Sequence, residues 1–284
     1  EFRRVLFRSK TQIGISLKDY LYVKEVLEQE TETLMRWFND NGLQANPTKF
    51  NALILGSCTS YVEHISVNDT KIEVLKSAKL LGITIDDKLN FKDHVQNVCQ
   101  KTGKQLKILC RLSNFLSFQN RLVIYHSFIM SNFHYCSLIW ATLGSHNIKR
   151  LEKIQERALR FVFKDFTSEF EDLIIRAKSV RVSILILRQM ATHVFQSVNK
   201  MGPSILQDMF NVKESVYSLR NTVTVIQPKF KTKRFGYNSL RYLGAKLWNK
   251  MPVTIKTAQS LGEFRKTIED IDGNNFLYDF LSEI

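Results

Sequence analysis

An α+β fold is predicted for this chain of 284 residues from three observations. Residues 43–85 carry short runs of β-branched and aromatic residues broken by turn pairs. Residues 17–39, and nearly everything from Phe91 onward, instead repeat apolar residues every three or four positions. At 44% hydrophobic and 24% charged, the composition is that of a globular protein able to bury a core in one large or two ordinary domains.

Taken in order, Leu17 to Asn39 reads as an amphipathic helix, with Leu17, Tyr20, Leu21, Val23, Leu27, Leu34 and Phe38 inward, ended by Asn41-Gly42. The β signal follows, with Phe50 to Leu55 as a buried strand. Shorter strands are predicted at His64–Val67, Lys71–Leu75 and Lys79–Ile85, the first two joined by the turn pair Asn68-Asp69. From Phe91 the period turns helical: Val95, Val98, Cys99, Leu106 and Leu109 share one face, and Lys101, Lys104, Lys107 and Arg111 step along another as a basic rail. Leu122 to Ile148 holds no Lys, Arg, Asp or Glu, yet its Tyr, His, Asn and Ser residues interrupt it too often for a membrane span. Two buried helices parted near Ser131-Asn132 fit it better. Asn147–Phe163 repeats the rail design, with Leu151, Ile154, Ala158 and Phe161 inward and Lys149, Lys153, Arg157 and Arg160 outward. Val180 to Lys200 is a strongly apolar helix terminated by Gly202-Pro203. A loop-rich basic and aromatic segment is expected up to Met251, then a last short helix over Ser260–Ile271.

The net charge is +14, and it is clustered. No Asp or Glu occurs from His94 to Leu151, nor from Ser215 to Gly262, where Arg220, Lys229, Lys231, Lys233, Arg234, Arg241, Lys246, Lys250 and Lys256 fall. Solvated faces intersperse both signs, so this clustering points to a polyanion partner. Phe230, Phe235, Tyr237 and Tyr242 lie among those cations as candidates for stacking on bases, whereas Trp37, Trp140 and Trp248 sit in apolar patterns and are expected in the core. Cys58, Cys99, Cys110 and Cys136 show neither C-x-x-C spacing nor a His at ligand distance, and read as reduced thiols rather than a zinc site. No Walker, H-E-x-x-H, G-x-S-x-G or G-x-G-x-x-G pattern supports a kinase, protease or hydrolase. Asp86-Asp87 is a tempting metal site, since adjacent carboxylates can hold a divalent ion, but Asp-Asp-Lys after a strand is also ordinary turn composition, which is the reading preferred.

Two stretches carry a family resemblance. Trp37-Phe38-Asn39-Asp40-Asn41-Gly42-Leu43-Gln44-Ala45-Asn46-Pro47-Thr48-Lys49, then Leu80-Leu81-Gly82-Ile83-Thr84-Ile85-Asp86 with Leu89, resemble the distal palm of reverse transcriptases from non-LTR (LINE-like, jockey-type) retrotransposons. Leu122-x-x-Tyr125-His126-Ser127-x-Ile129, Tyr135-Cys136-Ser137-Leu138-Ile139-Trp140 and Leu151-x-x-Ile154-Gln155-x-x-Ala158-Leu159-Arg160 are similar to the family's thumb. Arg241 to Pro252, followed by Ile255-Lys256 and Ser260-Leu261-x-x-Phe264-Arg265, is similar to the tail of many such reading frames. The Tyr-Ala-Asp-Asp box that precedes this palm stretch in the family does not occur in these residues. Glu1-Phe2-Arg3-Arg4-Val5-Leu6-Phe7-Arg8-Ser9 instead resembles the translation of a sequencing-library adapter, a scar to be set aside from fold reasoning. Setting it aside, three arginines against one glutamate, lowers the net charge by 2, to +12.

The resemblance implies a residual palm sheet with one covering helix over 10–90, a mainly helical thumb over 91–165 and a basic, aromatic C-terminal extension over 166–284. It implies the C-terminal part of an RNA-directed DNA polymerase that binds an RNA/DNA template-primer, is intracellular (cytoplasm or nucleus), avoids membranes and needs its N-terminal polymerase half. Without the box, this piece is expected to be inactive and to hold no cofactor, although magnesium serves the full-length family enzyme. Lys49 and Gly82 are the nucleotide- and primer-proximal candidates. The nucleic-acid-binding candidates are Lys101, Lys104, Lys107 and Arg111, then Lys149, Lys153 and Arg157, then Lys229, Lys231, Lys233, Arg234, Phe235 and Tyr237. The alternative is a non-catalytic nucleic-acid-binding or protein-interaction module derived from such an element.

Overall fold

The structure is a computed structural model that describes residues 2–7, 10–15, 20–46, 49–55, 63–67, 70–141, 143, 145–213, 224–232 and 236–283. The chain is mixed α and β, and it divides into two compact units, Glu1–His94 and Val95–Ile284.

In the first unit, β1 (Phe2–Phe7) pairs antiparallel with β2 (Lys10–Ile15), from Phe2 opposite Ile15 to Phe7 opposite Lys10. Helix α1 (Tyr20–Asp40) ends as the sequence predicts. Gly42 takes φ +66°, the Leu43 N–H reaches the Phe38 carbonyl at 2.8 Å and the Gly42 N–H reaches Asn39 at 3.0 Å, so the terminal carbonyls are satisfied. Trp37 is 46% exposed rather than in the core, because α1 turns Leu34 inward and leaves Trp37 on its outer side, edge-on to Phe38.

Three strands, β3 (Ala52–Leu53), β4 (His64–Val67) and β5 (Thr70–Leu75), form one sheet in the order β3-β5-β4. Ile65, Val67 and Ile72 make its buried core, with Leu27 and Met35 packed against them. The strand expected over Phe50–Leu55 shrinks to Ala52–Leu53, since only these two residues find partners, Val74 and Leu75, in a parallel ladder, and Leu55 is exposed. The Asn68-Asp69 turn lies outside the described residues. Lys79–Ile85 is not one strand but the bend of a hairpin between β6 (Ser77–Leu80) and β7 (Ile83–Asp86). Leu81 and Gly82, at φ +48° and +88°, supply a two-residue connection with both centres left-handed, which matches the twist of the flanking strands.

Helix α2 (Lys92–Leu112) leads into the second unit. After it come α3 (Phe118–Ile124), a π-helical turn (Tyr125–Met130) and α4 (Ser131–His134), which run on without a gap. The break expected at Ser131-Asn132 falls instead at Tyr135–Ser137, where Cys136 adopts φ +48°. The wide π turn absorbs the change of register and brings Tyr125, Ile129 and Met130 inward together. Then follow α5 (Leu138–Ala141), α6 (Ser145–Phe163), α7 (Phe170–Arg176), α8 (Val182–Val198) and α9 (Ser204–Gln207). Gly202 does not terminate α8. Lys200, at φ +53°, does, with the Met201 N–H on the Gln196 carbonyl at 2.7 Å. Lys164 and Lys178 close α6 and α7 in the same left-handed geometry, and each places a cation at the negative end of a helix.

The loop expected up to Met251 contains α10 (Leu240–Lys250), followed by α11 (Val253–Lys256), α12 (Leu261–Glu269) and a further helix, α13 (Ile271–Ser282). Tertiary contact decides this. Asn249 clasps Val225, accepting its N–H and donating to its carbonyl at 2.9 Å each, and Gly244 lets α10 approach α8 so closely that a Cβ would lie 2.9 Å from Val194 and 2.8 Å from Phe210. The Phe195 ring stacks on Phe264 at 4.3 Å and lies 6.4 Å from Trp248, so α8, α10 and α12 share one aromatic centre.

One buried side chain ties together the first half of this unit. The Gln155 amide, fully buried on α6, donates to the Tyr125 hydroxyl (3.1 Å) and the Val180 carbonyl (2.7 Å) and accepts from the Val182 N–H (3.2 Å). Tyr125 also meets Ser179 at 3.0 Å, and its burial pushes the phenol pKa up. Replacing Gln155 with Met keeps the volume but strands these partners, so we expect a loss of about 2–4 kcal/mol, since each buried polar group left unpaired costs roughly 1–3 kcal/mol. Urea unfolding followed by the buried Trp140 and Trp248 is the measurement, and an unchanged midpoint would show that the node carries no weight.

Candidate nucleic-acid interface

The α2 rail forms as its spacing predicts: Lys101, Lys104, Lys107 and Arg111 are all exposed, while Val95, Leu106 and Leu109 are buried on the opposite side. Ile108 and Leu112 step four residues on from Lys104 and Ile108, so they share the basic stripe, 56% and 42% exposed, and Phe115 just beyond is 86% exposed. Four cations therefore surround apolar surface that faces solvent.

On α6 the outcome is mixed. Lys149, Lys153 and Arg157 are exposed, but Arg160 is drawn off by Glu156 at 2.6 Å and the Ser168 carbonyl at 3.1 Å. Glu152 on the same helix binds Arg181 and the Ser183 hydroxyl, so this face carries both signs. Arg121, which falls in the first acid-free stretch, is buried. Its guanidinium donates to the Ser113, Leu116 and Val162 carbonyls at 2.8–3.0 Å and gathers helix ends rather than a ligand.

The second acid-free stretch is thinned in the same way. Lys250 pairs with Glu283, Lys256 donates to the Asn249 carbonyl and lies 5.8 Å over Trp248, Lys246 lies over Tyr237 and Phe280, and Arg241 donates to the Met209 carbonyl. Burial pushes the Lys256 pKa down. Lys229 and Lys231 remain exposed, whereas Lys233, Arg234 and Phe235 lie outside the described residues. Tyr237 is half-buried, 5.2 Å from Tyr242 and 5.6 Å from Phe230, so it buttresses its neighbours.

In the first unit, Lys49 is exposed just before β3 and closes a turn through its N–H on the Asn46 carbonyl at 3.0 Å. Gly82 sits at the tip of the β6–β7 hairpin. Asp86 is 8% exposed and committed to the backbone: its carboxylate accepts the N–H groups of Lys88 (3.1 Å), Asn90 (3.0 Å) and Phe91 (2.6 Å) and so shapes the entry to α2. Among the described residues no group of three His, Cys, Asp or Glu side chains could hold a metal, and the Asp86 carboxylate is taken up by backbone N–H groups. Burial raises the Cys99 and Cys110 thiol pKa values, as suits unreactive side chains. No helix among the described residues is long and apolar enough to cross a membrane.

Comparison with known proteins finds three relatives in Drosophila melanogaster. The chain is 30% identical over 106 residues to the probable RNA-directed DNA polymerase from transposon X-element, 25% over 144 residues to that from transposon BS, and 22% over 157 residues to the RNA-directed DNA polymerase from mobile element jockey. The matches cover 36%, 48% and 54% of this chain but only 11%, 16% and 17% of the relatives. No family model matches the chain, and no solved structure matches it.

Because three backbone donors converge on Asp86, Asp86→Ala is expected to cost about 1.5–3 kcal/mol, the range for hydrogen bonds to a charged group. Magnesium titration calorimetry should give the same trace for parent and variant. A magnesium heat that vanishes with the carboxylate would make Asp86 a ligand after all.

Proposed function

We propose that this chain is the nucleic-acid-gripping C-terminal part of an RNA-directed DNA polymerase of a non-LTR element, which holds the RNA template and DNA primer while the catalytic carboxylates belong to sequence outside these residues. The observation that carries the reading is the α2 face, four exposed cations at helical spacing within a stretch free of acids. A phosphate backbone is the polyanion that such a rail fits, since each neutralised phosphate releases condensed counterion whatever the base sequence. Similarity to the three transposon polymerases supports the same assignment. Lys149, Lys153 and Arg157 on α6, with Lys229 and Lys231, are further backbone contacts, and Lys49 and Gly82 lie nearest the nucleotide and primer.

The exposed Ile108, Leu112 and Phe115 favour a second reading, in which this face docks on another protein surface, such as the polymerase half carrying the active site. Salt dependence separates the two. Replacing Lys104 and Arg111 with Gln should weaken binding to an RNA/DNA hybrid across all sequences and flatten the log-log salt slope by roughly 1 per contact, or about 2 in all. A parental slope in the double variant would assign the rail to a protein partner.

Under this proposal the purified chain does not extend primers. Oligo(dT) on poly(rA) with magnesium is the assay, and incorporation lost in Asp87→Ala would overturn the assignment of catalysis to other sequence.

A further inference from the structure

Gln227, Pro228, Lys229 and Phe230, with Tyr242 of α10, line a shallow, open recess of about 420 Å³. Phe230 is 45% exposed there. A Cβ on Gly236 would lie 2.4 Å from the Phe230 Cβ, so the glycine backbone presses on the root of the side chain. Tyr242 meets the ring edge-to-face at 4.7 Å and 79°, Tyr237 at 5.6 Å and 70°. Tyr242 itself stands on α10 beside the buried Leu243, so the platform is built on a rigid element. Lys229 and Lys231, both exposed, flank it in sequence, and no acid occurs from Ser215 to Gly262.

We propose that Phe230 is a stacking platform for one unpaired nucleobase of a single strand, with Lys229 and Lys231 on the flanking phosphates and the Gln227 amide facing the base edge. This rests on the nucleic-acid reading above and deepens it: the α2 rail follows a backbone, whereas the recess selects single strand over duplex. A half-exposed ring held by its neighbours suits a base because every base offers a π surface, and the adjoining cations suit its phosphates. The amide supplies one donor and one acceptor, enough to bias the choice of base without fixing it.

The test uses the full chain with fluorescein-labelled oligo(U) and, separately, a blunt RNA duplex. Phe230→Leu keeps the apolar bulk against Gly236 but removes the π face. It should lower affinity for oligo(U) roughly 5- to 150-fold, the range for loss of one stacked base, with unchanged salt slope and unchanged duplex binding. Phe230→Trp should retain affinity, and its added indole fluorescence should be quenched at saturating oligo(U). Parental oligo(U) affinity in the Leu variant, equal losses for strand and duplex, or an unquenched Trp variant would each overturn the platform. If the α2 variants weaken binding while Phe230→Leu does not, only this inference falls. If the parent chain binds neither these probes nor the RNA/DNA hybrid, the functional proposal falls with it.

Discussion

A single buried amide holds the first half of the second unit in register. Gln155 has no exposure to solvent, and a bare amide there would be costly, so its hydrogen bonds are a geometric requirement as much as a source of energy. Meeting them fixes the π turn through Tyr125, the approach to α8 through Val180, and the first turn of α8 through Val182. The π turn is then intelligible, since its extra residue brings the Tyr125 hydroxyl, the Ile129 side chain and the Met130 sulfur to the same interior side. Two of the family-like motifs, around Tyr125 and around Gln155, are the two halves of this node.

Arginines impose a second layer of order, one of them, Arg121, buried and two others partly so. Arg121 collects the carbonyls of Ser113, Leu116 and Val162, Arg181 bridges Glu152 and Glu171, and Arg188 joins Asn274 and lies near Glu269. Burial lowers the Arg188 pKa, against the opposing pull of Glu269. Removing Arg121 would leave three carbonyls without their donor, whereas the Arg181 and Arg188 pairs reach partly exposed carboxylates, so these arginines specify helix positions more than they add stability. They also subtract from the charge available to a ligand. Among the described residues of α6 and the two acid-free stretches, and apart from the engaged Arg241 and Lys250, exposed cations remain on α2, on part of α6 and beside Phe230, a sparser footprint than the charge of those segments suggests.

Sequence alone determined the elements whose periodicity is decided locally. The α2 rail was legible because a helix sorts residues by a fixed angle, and core face and basic face cannot both be satisfied any other way. The end of α1 at Gly42 was legible because a left-handed residue there favours glycine, and the capping of α12 by Ser260 follows from the Ser-x-x-Glu pattern. The preference for a turn at Asp86-Asp87 rested on composition, but which groups the Asp86 carboxylate would bind was not readable from it.

What only the tertiary structure decided is where polar groups and rings find their partners. Nothing local marks Lys200, rather than Gly202, as the residue that closes α8, because the choice depends on where the helix must turn to pack. Asn249 reads as an unremarkable helix residue until its amide meets Val225, 24 positions away, and that long-range clasp helps to order α10 in a stretch that looks like loop. Tyr237 and Phe230 are equivalent in sequence, both aromatics among lysines, yet one is wedged between rings and the other stands half-exposed over a recess. Charge is counted residue by residue along the chain, but availability is a property of neighbours in space. For that reason the basic character of this protein was evident from its sequence, while the cations and the ring free to meet a ligand were not.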